Sequence, residues 1–135
     1  MTPTTLARPS GNATLLRTAL TVDGWSTGIF GAVLVAGAGF LRDPLGLPIG
    51  WSIPFGIVML GGALVLLMVA RQPVIAVRHA QAVVAVNALS VAGMIGLAGS
   101  GVLPLTGLGV MFFIIGAVAV AIFAGLEFAG LRKLG

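Results

Sequence analysis

Hydrophobic residues run along the chain in four long stretches, broken by short polar or Pro- and Gly-rich segments. The first, residues 15–41, carries no charge from Gly24 onward. A bilayer core about 30 Å thick needs ~20 mostly apolar residues at ~1.5 Å rise each. The stretch meets that length comfortably only by taking Asp23 into the membrane. Arg42-Asp43-Pro44-Leu45-Gly46-Leu47-Pro48 then ends the helix, because proline and glycine both interrupt it. A second helix is predicted over residues 50–70, with Trp51 at headgroup level and Pro54 near its start. Arg71-Gln72-Pro73 breaks the chain again. A third helix follows over residues 74–98, with Arg78, His79 and Gln81 early and Asn87 further in. Gly99-Ser100-Gly101 and Pro104 mark a turn, and a fourth helix over residues 106–131 ends at Arg132-Lys133. The pattern predicts an all-α, polytopic membrane protein with four transmembrane helices. Residues 1–13 read as a flexible tail, which Ser10 or Asn12 would end as a helix cap, and 14–135 as a single transmembrane domain.

Composition strengthens this reading. The 135 residues are 59% hydrophobic and 7% charged, against about 25% charged in ordinary soluble domains. A soluble fold this small cannot bury so much apolar surface. With no cysteine and one histidine, disulfides, thiolate chemistry and metal sites built from Cys or from His alone are excluded within one chain. The net charge of +4 does not imply nucleic acid, since the basic residues stand at helix ends. Arg8, Arg17, Arg71, Arg78, Arg132 and Lys133 fall on one side of a four-helix topology, and Arg42 alone on the other. The excess of Lys and Arg predicts that both termini are cytoplasmic, in contact with anionic membrane lipids.

Small residues recur at four-residue spacing in three helices. The rows are Gly24, Gly28, Ala32 and Ala36; Ala88, Ala92, Gly96 and Ser100; and Ala117, Ala121, Gly125 and Ala129. Such rows let membrane helices approach closely. They predict that the first, third and fourth helices form the tight core and the second packs peripherally. The first two rows align at an offset of 64 residues, which superposes Asp23 on Asn87 and Ser26 on Ser90. Leu47-Pro48 and Leu103-Pro104 precede the second and fourth helices. The match suggests two helical hairpins repeated about an axis along the membrane normal.

Ionisable residues inside a membrane are costly and mark candidate sites. Asp23 lies about 100° off the small-residue row. It reads either as a headgroup-depth anchor or, with Ser26 and Asn87, as a polar level facing the bundle. A carboxylate and an amide are complementary there. Arg17, Arg78, His79 and Glu127 read as interfacial. Glu127 points about 200° from the row of its own helix and stands near its end, so the expectation is a snorkelled carboxylate. No nucleophile with an adjacent base, catalytic carboxylate pair or phosphate-binding loop is visible, so no enzyme activity and no cofactor is expected.

LLRTALTVDGWSTG, VVAVNALSVAG and AIFAGLEFAGLRK resemble the corresponding stretches of small four-helix bacterial integral membrane proteins that have no assigned function. The resemblance covers most of the chain and implies a four-helix fold in a bacterial cytoplasmic membrane, with no activity attached. Three roles stay open. One is an accessory, structural or lipid-binding subunit that meets other membrane proteins or copies of itself. Another is an oligomeric carrier of a small hydrophobic or cationic solute that uses Asp23. The third is a redox-associated subunit, limited by its single histidine.

Overall fold

The computed structural model describes residues 13–134. Within them the chain forms α1 (Thr14–Ala36), α2 (Ala38–Leu45), α3 (Ile49–Ala70), α4 (Val77–Ser100) and α5 (Gly107–Arg132). α1, α3, α4 and α5 are each long and apolar enough to cross a membrane, so the fold is all-α with four candidate spans, that of a multi-pass membrane protein. Apart from residue 13, the predicted tail, with Ser10 and Asn12, lies outside the described residues.

The stretch expected as one helix over 15–41 is divided at Gly37. There the backbone bends to φ −97° and ψ 10°, and short α2 carries the chain on to Gly46. Gly46 takes a left-handed conformation, φ +67°, that suits glycine. It also lies so close to Pro104, Leu105 and Thr106 that a side chain would collide with their backbone. Thr106 joins these two turns. Its N–H donates to the Leu45 carbonyl (3.0 Å) and its hydroxyl to the Pro44 carbonyl (2.7 Å), while Oγ1 accepts from the Gly109 N–H (3.0 Å) and so caps α5. α4 begins three residues later than expected. Gln72 Oε1 accepts the Ala76 N–H at 3.0 Å, which holds residues 73–76 in a turn ahead of the helix.

The packing corrects the expected core. α1 pairs most extensively with α3 and α4 with α5, and α1 also runs along α5. α1 and α4 make no close backbone approach. The reason is a spacing of seven residues rather than four. Gly24, Gly31 and Ala38 on the α1–α2 segment and Gly56, Ala63 and Ala70 on α3 are all buried. Side chains seven apart stay on one face of helices that wrap left-handedly around each other. The closest point joins Gly31 and Gly56. A Cβ on Gly31 would sit 2.8 Å from the Gly56 oxygen, and one on Gly56 would sit 2.6 Å from the Gly31 oxygen. Gly24 lies against Leu66 and Leu67, and Gly28 against Ala63. The four-residue row of α4 faces outward instead: Ala88, Ala92, Gly96 and Ser100 are exposed. Gly96 and Gly125 have open space where a Cβ would stand, so neither serves the helix packing expected of it.

Two apolar clusters fill the ends of the bundle. One gathers Leu16, Leu20, Leu66, Val69, Ile75 and Val83 at the end with most basic residues. The other gathers Leu34, Leu45, Leu47, Leu103 and Phe113 at the opposite end. There Phe55 and Phe112 pack edge-on to Phe113, with ring centroids 6.2 and 6.1 Å away.

Candidate intramembrane polar site

Between the two apolar clusters lies a polar layer built by α1, α4 and α5. Asp23 follows Leu16 by seven residues on α1. Asn87 follows Ala80 by seven on α4. Glu127 lies seven after Val120 on α5 and seven before Leu134, just past the end of that helix. Each polar residue thus interrupts an inward-facing row, and each is brought toward the same level of the bundle.

Asn87 is the centre of this layer. Its Nδ2 donates to Asp23 Oδ2 at 2.9 Å and to Glu127 Oε1 at 2.7 Å. One amide nitrogen carries two hydrogens, so both bonds form at once. Two acceptors bonded to one nitrogen lie within about 6 Å of each other. Thr27, one turn along α1, donates from Oγ1 to Asp23 Oδ1 at 3.1 Å. Asp23 is 2% exposed and Glu127 is fully buried. Glu127 Oε2 is buried with no hydrogen-bond partner among the described residues. An interhelical hydrogen bond in a membrane contributes roughly 0.6 to 2 kcal/mol. Here two of them tie three helices together, and Asn87 joins α4 to α1 although their backbones stay apart.

The expected pairing of Asp23 with Asn87 is present, while Ser26 makes no side-chain hydrogen bond to the cluster and Thr27 takes its place. The interfacial reading of Glu127 is overturned. The angle measured from Gly125 presumed that Gly125 faced the core, but it faces outward, so Glu127 points in. The seven-residue row Phe113, Val120, Glu127 and Leu134 is the sequence signal that locates it.

No basic side chain pairs with either buried carboxylate among the described residues, where the one ion pair is the exposed Arg42–Asp43 contact at 3.2 Å. Arg17 turns instead to the end of α3. Its guanidinium donates to the carbonyls of Ala70, Gln72 (2.7 Å) and Pro73 (3.2 Å). A cation there satisfies carbonyls left open at a helix C-terminus and opposes the helix dipole. Arg78 and His79 are exposed near the start of α4, where His79 Nδ1 lies 2.9 Å from Gln72 Nε2. No group of three or more His, Cys, Asp or Glu side chains able to hold a metal ion occurs among the described residues.

The chain matches no protein-family model, and no curated protein or solved structure matches it. The site therefore stands on its own geometry. A buried carboxyl pair with one unpartnered oxygen, closed off by apolar layers above and below, can take up positive charge and hold it away from water.

Proposed function

We propose that the protein is a small carrier of the bacterial cytoplasmic membrane that binds a cation at Asp23, Asn87 and Glu127. The observation behind this reading is the pair of buried carboxyl groups, which share the Asn87 amide and have no basic partner among the described residues. Negative charge in hydrocarbon is costly unless compensated, and intramembrane carboxylates of this kind mark ion and solute pathways. A carrier fits better than a channel, because apolar clusters stand on both sides of the polar layer. The basic bias puts both termini in the cytoplasm.

The test uses purified protein in liposomes of phosphatidylethanolamine and phosphatidylglycerol, with imposed pH, Na⁺ or K⁺ gradients followed by entrapped dyes. The native chain should dissipate at least one gradient faster than protein-free liposomes. Asp23→Asn and Glu127→Gln should abolish that excess. Variants as fast as the native chain would refute the reading.

A second reading, as an accessory subunit of a larger assembly, is favoured by one observation. The outer face of α4 carries a continuous row of small residues, Ala88, Ala92, Gly96 and Ser100, beside the bulkier Val86, Leu89 and Ile95. Small exposed residues suit a helix neighbour better than lipid chains. Cross-linking through Gly96→Cys in native membranes tests it.

A further inference from the structure

We infer that the cation taken by the Asp23–Asn87–Glu127 cluster is a proton, received at Glu127 Oε2, and not a metal ion. The inference rests on the cation-binding reading above and names the ligand. Metal ions need several oxygen ligands: Ca²⁺ takes about six to eight, and Mg²⁺ takes about six in an octahedron. Backbone carbonyls serve Na⁺ in membranes where a helix is unwound. Here α1, α4 and α5 run unbroken through positions 23, 87 and 127, so those carbonyls are committed to the helices. The side-chain oxygens are nearly committed as well. Asp23 Oδ1 accepts from Thr27, Asp23 Oδ2 from Asn87, and Glu127 Oε1 from Asn87. That leaves Glu127 Oε2 as the buried side-chain oxygen without a partner among the described residues, with Asn87 Oδ1, which also accepts no hydrogen bond there, beside it. Two such oxygens are too few for an ion that takes about six ligands, and one carboxyl oxygen is enough for a proton.

Among the described residues the one other titratable side chain at this level is Asp23. α3 contributes no titratable side chain anywhere along its length. On α4 the nearest such group is His79, eight residues and more than two turns from Asn87; on α5 it is Arg132, five residues from Glu127. Asp23 is the single charged group facing Glu127 from α1. Uptake of one proton forms an O–H bond at Oε2 and changes the charge of the cluster by one unit. No other bond is made or broken.

Asn87 provides the reporter, because the chain contains only one other asparagine, Asn12. With ¹⁵N-asparagine in lipid nanodiscs, Asn87→Gln assigns its side-chain amide signal. The expected result is that this signal moves with pH in the native chain. NaCl, KCl or MgCl₂ at constant pH and ionic strength should leave it in place. Glu127→Gln should remove the pH response while the signal persists, since the glutamine oxygen still accepts from Asn87. Asp23→Asn serves as a second variant and should alter the response without conferring metal sensitivity. A signal that moves with a metal ion at fixed pH would overturn the proton and leave the cation-binding reading standing. A pH response that survives Glu127→Gln would overturn the assignment to Oε2. A signal insensitive to both protons and metal ions would overturn the inference and the cation-binding reading together.

Discussion

Adding one methyl group at Gly56 should force α1 and α3 apart. The new Cβ would stand 2.6 Å from the Gly31 carbonyl oxygen and 3.0 Å from the Val35 nitrogen. Ordinary heavy-atom contacts lie at about 3.5–4.0 Å, so the helices would have to separate by close to 1 Å at their crossing. The obstacle is mainly backbone on a rigid helix, so a rotamer change cannot relieve it. Overpacking of this kind costs about 1–3 kcal/mol. Separation would also lengthen the 2.7 Å bond from the buried Ser52 hydroxyl to the Leu34 carbonyl, which places the expected loss for Gly56→Ala toward the upper end of that range. Gly96→Ala is the control. Among the described residues nothing lies within 4 Å of the added carbon there, and alanine is the better helix former by about 0.8–1.0 kcal/mol in water. It should be neutral or stabilising. Reversible unfolding in mixed detergent micelles, titrated with dodecyl sulfate, measures both variants against the native chain. Equal destabilisation by the two substitutions, or greater loss from Gly96→Ala, would refute the seven-residue packing seam and restore the four-residue row of α4 as a core element.

Two further outcomes follow from the ends of the bundle. Arg17→Gln should destabilise by about 2–4 kcal/mol in the same unfolding assay, because charge-assisted bonds contribute about 1.5–3 kcal/mol each and part of the site faces solvent; Arg17→Lys should recover only part, since an ammonium lacks the planar fork that reaches three carbonyls. The basic bias implies cytoplasmic termini, so a membrane-impermeant thiol reagent added outside intact cells should label Val102→Cys and leave Leu134→Cys unlabelled until the membrane is opened, and the reverse pattern would invert the topology.

Four spans, their breaks and the all-α class were legible in the sequence, because length and hydropathy in a bilayer are local properties. Asp23 and Asn87 were legible as partners through their 64-residue offset. Glu127 was missed because its direction was measured from Gly125, a residue whose own facing depended on an unproven row. Gly and Ala are so frequent in this chain that rows at four and at seven residues coexist in the same helix. Gly24 and Gly28 belong to the first, Gly24 and Gly31 to the second. Propensity cannot choose between them.

By itself the sequence determined that the chain has four stretches able to cross a membrane, with most of their bounds to within a few residues but not the break at Gly37 that sets α2 apart, and that Asp23 and Asn87 are polar residues to be sheltered from lipid. The tertiary structure alone decided that α3 and not α4 packs against α1, that Arg17 holds the end of α3 instead of compensating Asp23, and that Asn87 joins two carboxyl groups from separate helices. The physical reason is that hydropathy acts on each segment independently. The choice of neighbours turns on backbone approach at a few glycines and on which polar atoms find each other, and both depend on all the helices at once.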